Sequence, residues 1–245
     1  MGIHNGKGVV VTGGSSGIGL GIVERFLHDG AVVVIADIQE PDISKLQADY
    51  SNQIFYCKVD VCDESMIRNA VEELLRHAAR LDAMVNNAGI TRDGVFRKMS
   101  ADDWRAVMDT NLNSLFNVTK QVIEAMVDRG FGRIINISSV NGQKGQFGQS
   151  NYATAKAAIH GFSMSLAQEV ASKGVTVNTV SPGYIGTDMV RAIRPDVLEK
   201  IVATIPVKRL GRPEEIASIV AWIASEESGF STGADFSLNG GLHMG

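Results

Sequence analysis

The sequence predicts a doubly wound α/β domain, and three observations carry that prediction. Apolar runs of strand length recur along the chain with helical stretches between them. The runs are continuously apolar rather than alternating, and the first passes straight through a glycine-rich turn into a helical pattern. A strand exposed on one face alternates polar and apolar residues, so continuous runs belong to a parallel sheet covered on both faces. Helices supply the crossovers that parallel strands need.

Each element follows in order. Gly8–Thr12 is the first strand, and Gly13-Gly-Ser-Ser-Gly17-Ile-Gly19 leads into a helix marked by Ile22, Val23, Phe26 and Leu27. Gly30 closes that helix after His28 and Asp29, as glycine commonly does where the chain leaves a helix. Strands are expected at 31–36, 54–61, 81–85, 133–137 and 175–180. Two long helices, 101–128 and 151–173, separate the later ones, with Gly174 ending the second after Lys173. Residues 183–213 break the rhythm: they carry Pro195, Pro206 and Pro213 and no single clean period. They read as an insertion folding over a ligand crevice, where selectivity and closure usually sit. The stretch 233–241 alternates like an edge or interface strand. No linker or repeat divides the 245 residues, so 1–245 is read as one domain.

Composition narrows the function classes. Hydrophobic residues make up 44% and charged residues 20%, as expected of a chain that folds unaided. A formal charge of -4 without any Lys/Arg run argues against a nucleic-acid partner. No apolar run approaches the roughly 20 residues that span a bilayer, and residues 1–8 lack a basic region followed by an apolar one. The expectation is a cytoplasmic protein without a membrane partner. Cys57 and Cys62 fall on an expected strand and read as buried or half-buried free thiols. The five histidines show no ligand spacing, so no metal is expected; His160 reads as a packed helix residue, and Trp104 and Trp222 as core or interface packing.

The turn at 13–19 lies between a strand and a helix, where backbone N–H groups and the helix N-terminus can face a pyrophosphate. Gly13, Ser15, Ser16, Gly17, Ile18 and Gly19 are therefore candidate cofactor contacts on a Rossmann-type domain. Asp37 stands at the end of the second strand, where a carboxylate accepts the adenosine-ribose hydroxyls and repels a 2′-phosphate. No Arg or Lys lies within the turn or directly after Asp37 to neutralise such a phosphate. NAD(H) is therefore expected as the preferred cofactor, with NADP(H) as the alternative.

Tyr152 and Lys156 are four apart at the start of a helix, so both project from one face. Ser139 ends the preceding strand, at the carboxyl edge where open α/β sheets bind ligands. A tyrosine that donates a proton near neutrality needs its pKa lowered from about 10, and a neighbouring ammonium can help.

With these residues the chain resembles the short-chain dehydrogenase/reductase family. The likeness rests on Thr12-Gly-x-x-x-Gly17-x-Gly19, Asn86-Asn87-Ala88-Gly89, Asn111, Ser139, Tyr152-x-x-x-Lys156 and Pro182-Gly183, and covers essentially the whole chain. It implies that Tyr152 is the general acid/base, that Ser139 hydrogen-bonds the substrate oxygen, and that Lys156 holds the nicotinamide ribose. Asn111 would position a proton-relay water. Asp60, Val61, Asn87, Ala88, Gly89, Pro182, Gly183, Ile185 and Thr187 would line the rest of the cofactor.

Within the family the chain is most similar to acetoacetyl-CoA reductases of polyhydroxybutyrate synthesis, and next to 3-oxoacyl-acyl-carrier-protein reductases. Residues 86–93, 96–99, 138–149, 182–184 and 237–245 carry this closer likeness. It implies acetoacetyl-CoA as the thioester substrate, with Gln146, Phe147, Gln149 and Tyr184 bordering the acyl group beside Ser139 and Tyr152, and a homotetramer as the assembly. Asp37 departs from the NADPH preference common among such enzymes. The carrier-protein alternative would call for a basic docking patch, for which Arg92, Arg97, Lys98 and Arg133 are candidates. A nucleotide-sensing module without chemistry is the third reading, and the intact Ser139, Tyr152 and Lys156 argue against it.

Overall fold

β-Branched and other apolar side chains place the strands inside, and seven of them join in one parallel sheet. The computed structural model describes residues 2–244. Its strands are β1 (Gly8–Thr12), β2 (Val32–Asp37), β3 (Ile54–Lys58), β4 (Ala83–Asn86), β5 (Gly132–Ile137), β6 (Val175–Pro182) and β7 (Asp235–Leu238). They lie in the order β3-β2-β1-β4-β5-β6-β7. The order reverses between β1 and β4, which opens a crevice at the carboxyl ends of the strands.

Alternate residues of each strand feed two cores. Val9, Val11, Val33, Ile35 and Ile135 face one side, packed against α1 (Gly17–His28) and α10 (Pro213–Ile223). Val10, Val34, Met84 and Ile134 face the other, against α3 (Glu64–His77), α5 (Ser114–Arg129) and α7 (Ser150–Val170). This is the period of two in a strand buried on both faces. The remaining helices are α2 (Ser44–Tyr50), α4 (Ala101–Met108), α6 (Val140–Lys144), α8 (Asp188–Arg191) and α9 (Pro195–Thr204). The last two fill the 183–213 segment outside the sheet, and Ile185 and Gly211 are bridged at its base.

Several boundaries differ from the sequence reading. β3 stops at Lys58, because the chain turns at Asp60, whose carboxylate accepts the Cys62 N–H at 2.9 Å. Cys62 is consequently exposed in a turn rather than buried on a strand, while Cys57 is half-buried; both thiols are free. The helix expected over 101–128 is interrupted by a π turn at Asp109–Asn113, between α4 and α5. The helix expected over 151–173 ends as α-helix at Val170 and closes through a 3₁₀ turn, Ala171–Lys173, with Gly174 left-handed. Among the described residues no helix is long and apolar enough to cross a membrane.

Candidate active site

The glycine turn is held open by its own backbone and by the end of β4. Gly13 and Gly17 have φ of 62° and 55°, a region that suits glycine. A Cβ on Gly19 would lie 2.0 Å from the Gly13 carbonyl oxygen, so the turn closes only without one. Asn87 donates from Nδ2 to the carbonyls of Thr12 at 3.1 Å and Gly13 at 2.8 Å, and the Thr12 hydroxyl accepts the N–H groups of Asn87 and Ala88. The Asn87 side chain is thus committed to the turn. Ser16, at the N-cap of α1, makes no side-chain cap, which leaves the first-turn N–H groups of α1 to a ligand. Thr187 stands opposite: its Cγ2 is 3.1 Å from where a Gly17 Cβ would be. The turn, the helix end and Thr187 form a cradle with the shape and donors a pyrophosphate requires.

Asp37 lies beside this cradle. Its carboxylate accepts the Ser15 N–H at 3.1 Å and the Gln39 N–H at 3.0 Å. It therefore caps the next turn and also faces the phosphate-binding turn. Val61 is buried beyond β3, and Asp60 is exposed at the edge of the same crevice.

The catalytic candidates converge at the carboxyl ends of β4 and β5. Ser139 caps α6, accepting the Asn141 N–H at 3.1 Å on Oγ. That leaves its own hydroxyl proton free to donate. Lys156, buried on α7, donates Nζ–H to the carbonyl of Ile137 at 2.7 Å, and Nζ lies 5.7 Å from the centre of the Tyr152 ring. Burial pulls the Lys156 ammonium down to about 8. For Tyr152 the balance runs opposite to the sequence argument. Burial pushes the phenol up, the Ser139 hydroxyl draws it back down, and the Asp93 carboxylate pushes it up. The protein alone therefore favours the protonated phenol.

Asn111 sits in the π turn and is fully buried. Its Oδ1 accepts the Ile90 N–H at 2.7 Å and its Nδ2 donates to the Ile90 carbonyl at 2.8 Å. Each end of the amide makes one of these bonds, and together they pin the segment after β4 against the helix that carries the turn. Gly89 passes between: a Cβ there would meet Asn111 Oδ1 at 3.1 Å and Lys156 Nζ at 3.6 Å.

The expected acyl-group residues are not equivalent. Gln149 is tied at both ends, accepting from Asn141 Nδ2 and donating to Asp93 Oδ2, each at 2.9 Å. Gln146 accepts from the Lys144 ammonium at 3.0 Å and is exposed, as is Phe147. Tyr184 is half-buried, and burial followed by the Asp93 charge pushes its phenol up. Tyr184 and Ile185 also line a cavity of about 180 Å³ with Ile205, Val207 and Leu238. Pro182 ends β6, and Gly183 packs so close to Asn239 that a Cβ would lie 2.7 Å from its Cα.

Three residues absent from the expected set help to build the site. Asn141 and Asp93 hold Gln149, and buried Asn151 ties Tyr152 to the loop after β4 through the Tyr152 N–H and the Arg92 carbonyl. Asn151 adjoins Tyr152 in sequence, which offered a signal; Asp93 acts across two loops and offered none. Arg133 is a correction in the opposite sense. It is buried at the amino end of β5, bonded to the carbonyls of Gly132, Gly174 and Ser225. It cannot join a docking patch at the carboxyl edge, whereas Arg92, Arg97 and Lys98 are exposed there. Among the described residues no group of three or more His, Cys, Asp or Glu is placed to hold a metal ion.

A reversing parallel sheet, a glycine cradle and a Ser-Tyr-Lys cluster at one edge define a nucleotide-dependent oxidoreductase. The chain matches the short chain dehydrogenase family over residues 7–198 and belongs to it, which makes it an NAD(P)-dependent oxidoreductase. It is 64% identical over 239 residues to the acetoacetyl-CoA reductase of Cupriavidus necator, covering 96% of this chain and 97% of that one. It is also 49% identical to the acetoacetyl-CoA reductase of Allochromatium vinosum, over 96% and 98% of the two chains. The 3-oxoacyl-[acyl-carrier-protein] reductase FabG of Salmonella typhimurium is 43% identical, over 98% of each chain.

Proposed function

We propose that this chain is an acetoacetyl-CoA reductase of short-chain polyhydroxyalkanoate metabolism, forming (3R)-3-hydroxybutyryl-CoA with NADH as the preferred reductant. The observation that carries the reading is the Ser139-Tyr152-Lys156 cluster on a chain 64% identical to an acetoacetyl-CoA reductase over nearly its full length.

The bound nicotinamide supplies the hydride that adds to C3 of the substrate. The chain's residues handle the oxygen. Ser139, its lone pair engaged by Asn141, donates its hydroxyl proton to the 3-oxo group and aligns it beside Tyr152. Tyr152, kept protonated by burial, gives its phenolic proton to the developing alkoxide, so the products are a neutral alcohol and a phenolate. Lys156 supports that phenolate with its ammonium, and its remaining N–H groups would hold the nicotinamide ribose. Asn111, fixed in the π turn by its bonds to Ile90, would position the water that restores the Tyr152 proton.

The cofactor preference follows from charge. Asp37 is held beside the cradle by two backbone N–H groups, and the next residues include Glu40 and Asp42. A 2′-phosphate there meets negative charge, with Lys58, the register partner of Asp37, as the neighbouring cation on β3. Residues 183–213 form the lid on the acyl group. Exposed Phe116 on α5 and Met164 on α7 support assembly through these helices as a homotetramer, and sedimentation as a monomer at micromolar concentration would count against it.

The test is initial velocity with acetoacetyl-CoA, NADH against NADPH, in wild type and Tyr152→Phe. We expect turnover favouring NADH and a fall in kcat on the order of 10² to 10⁴ in Tyr152→Phe, with cofactor binding retained. Activity with NADPH alone overturns the cofactor preference; activity only with the carrier-protein thioester reassigns the substrate. NADH binding without turnover of any 3-oxoacyl thioester returns the sensing-module reading.

A further inference from the structure

Ser138 precedes Ser139 and plays no part in the mechanism above. Its Oγ lies 2.8 Å from the main-chain oxygen of Lys156 and 3.1 Å from Nε2 of His160, one turn further along α7. Nδ1 of the same imidazole faces Oδ2 of Asp235 on β7 at 3.5 Å. Asp235 also accepts from Ser181 Oγ on β6 at 2.7 Å and from Gln143 Nε2 on α6 at 2.6 Å. One carboxylate thus gathers β6, α6 and α7, and α6 and α7 carry the catalytic cluster. There is little slack between them: a Cβ on Gly142 would lie 2.8 Å from the Lys156 carbonyl carbon.

The hydrogen count ties the acceptor of the Ser138 hydroxyl to whether Nε2 of His160 carries hydrogen, as it does in the charged imidazole and in one of the two neutral tautomers. A hydroxyl has one proton. While Ser138 donates it to the Lys156 carbonyl, Ser138 can only accept from His160, so Nε2 must carry hydrogen. A charged imidazole does this and presents its second N–H to Asp235. A neutral imidazole that keeps its proton on Nδ1, facing Asp235, offers a bare Nε2. The Ser138 hydroxyl then turns to the ring and gives up Lys156.

We infer that His160, oriented by Asp235, is a positioning residue that sets Lys156 through the Ser138 hydroxyl, and that hydrogen on Nε2 of the imidazole holds that hydroxyl on the Lys156 carbonyl. The inference rests on the reading of Lys156 as part of the catalytic cluster. The ionisable group facing the ring is Asp235; Ser138, Gln143 and Ser181 are the neutral groups around the pair. Lys156, on the ring's own helix, turns its ammonium away to Ile137.

Two measurements test it. The first is the kcat–pH profile of wild type, His160→Ala and His160→Gln, with NADH affinity and melting temperature recorded for each. His160→Ala is expected to lower kcat about tenfold with NADH affinity unchanged, short of the roughly 100-fold that a full ångström of misplacement can cost. His160→Gln, whose amide can still donate to Ser138, recovers most of kcat. Wild-type kcat and profile in both variants would overturn the inference. The second is NMR titration of the His160 imidazole, which needs no turnover. The ring-nitrogen signals should show hydrogen on Nε2 in wild type and should change in Asp235→Asn and in Ser138→Ala; no change in either variant overturns the network. Wild type inactive on acetoacetyl-CoA defeats the proposed function alone, because the NMR arm still decides this one.

Discussion

A buried cation lies at each end of strand β5, Arg133 from the strand itself and Lys156 from α7, and the two are treated differently. At its amino end Arg133 donates to three carbonyls and lies 4.3 Å from the Phe131 ring, with Lys7 and Arg80 around the same ring at 5.5 and 5.3 Å. At its carboxyl end Lys156 donates to the single carbonyl of Ile137. Burial lowers both cations' affinity for a proton. A guanidinium stays charged regardless, so its donors must be met by the protein, and the result is a fixed structural joint. An ammonium with one protein acceptor keeps donors for a ligand and can be tuned to about 8. The comparison teaches that a buried cation with its valences filled holds the fold, and one left partly unfilled is available for chemistry.

The largest expected effect breaks this contrast at the carboxyl end. Lys156→Met should lower kcat by on the order of 10² to 10⁴ and weaken cofactor binding, without lowering the melting temperature. Steady-state kinetics beside a thermal melt check both parts. A loss of stability comparable to that of the Arg133 variant would mean the two cations are equivalent after all.

Next is Arg133→Met, expected to destabilise the fold by about 2–4 kcal/mol, since three carbonyls, those of Gly132 and Ser225 among them in buried bonds, lose their donor. Denaturant unfolding measures it, and kcat per folded molecule should be unchanged. Arg133→Lys should cost less, about 1–2 kcal/mol, because one ammonium reaches fewer of the carbonyls.

The pH dependence sharpens the comparison. Lys156 is depressed from 10.5 to about 8 in the folded chain, so between those values the unfolded chain binds more protons. Stability then rises with pH across that window, and burying the charged ammonium costs stability below it. Relative to Lys156→Met, wild type should gain about 2 kcal/mol between pH 8 and pH 10. Tyr152, pushed up by burial, works the other way only above its ordinary value near 10. Unfolding curves of both proteins at pH 7, 8, 9 and 10 decide it; parallel curves would show that Lys156 is not depressed.

The sequence alone determined the sheet and the glycine turn, and it marked out the candidates for the reacting groups. Continuous apolar runs, a strand–glycine–helix junction and the four-residue spacing of Tyr152 and Lys156 are local patterns, and local backbone geometry translates them directly. Asn111 was legible as a residue of interest, but only packing revealed that its amide bonds Ile90 from inside a π turn. The ends of β3 and of the long helices also depended on contacts outside those segments. Arg133 shows the limit most clearly: composition counted it as surface charge, and the fold buried it at the far end of β5. Tertiary structure alone decided the links from Gln149 to Asp93, from His160 to Asp235, and the direction in which Tyr152 is pushed. Desolvation and pairing depend on which residues meet across 20 to 90 positions of chain, and no periodicity in a one-dimensional string encodes such meetings.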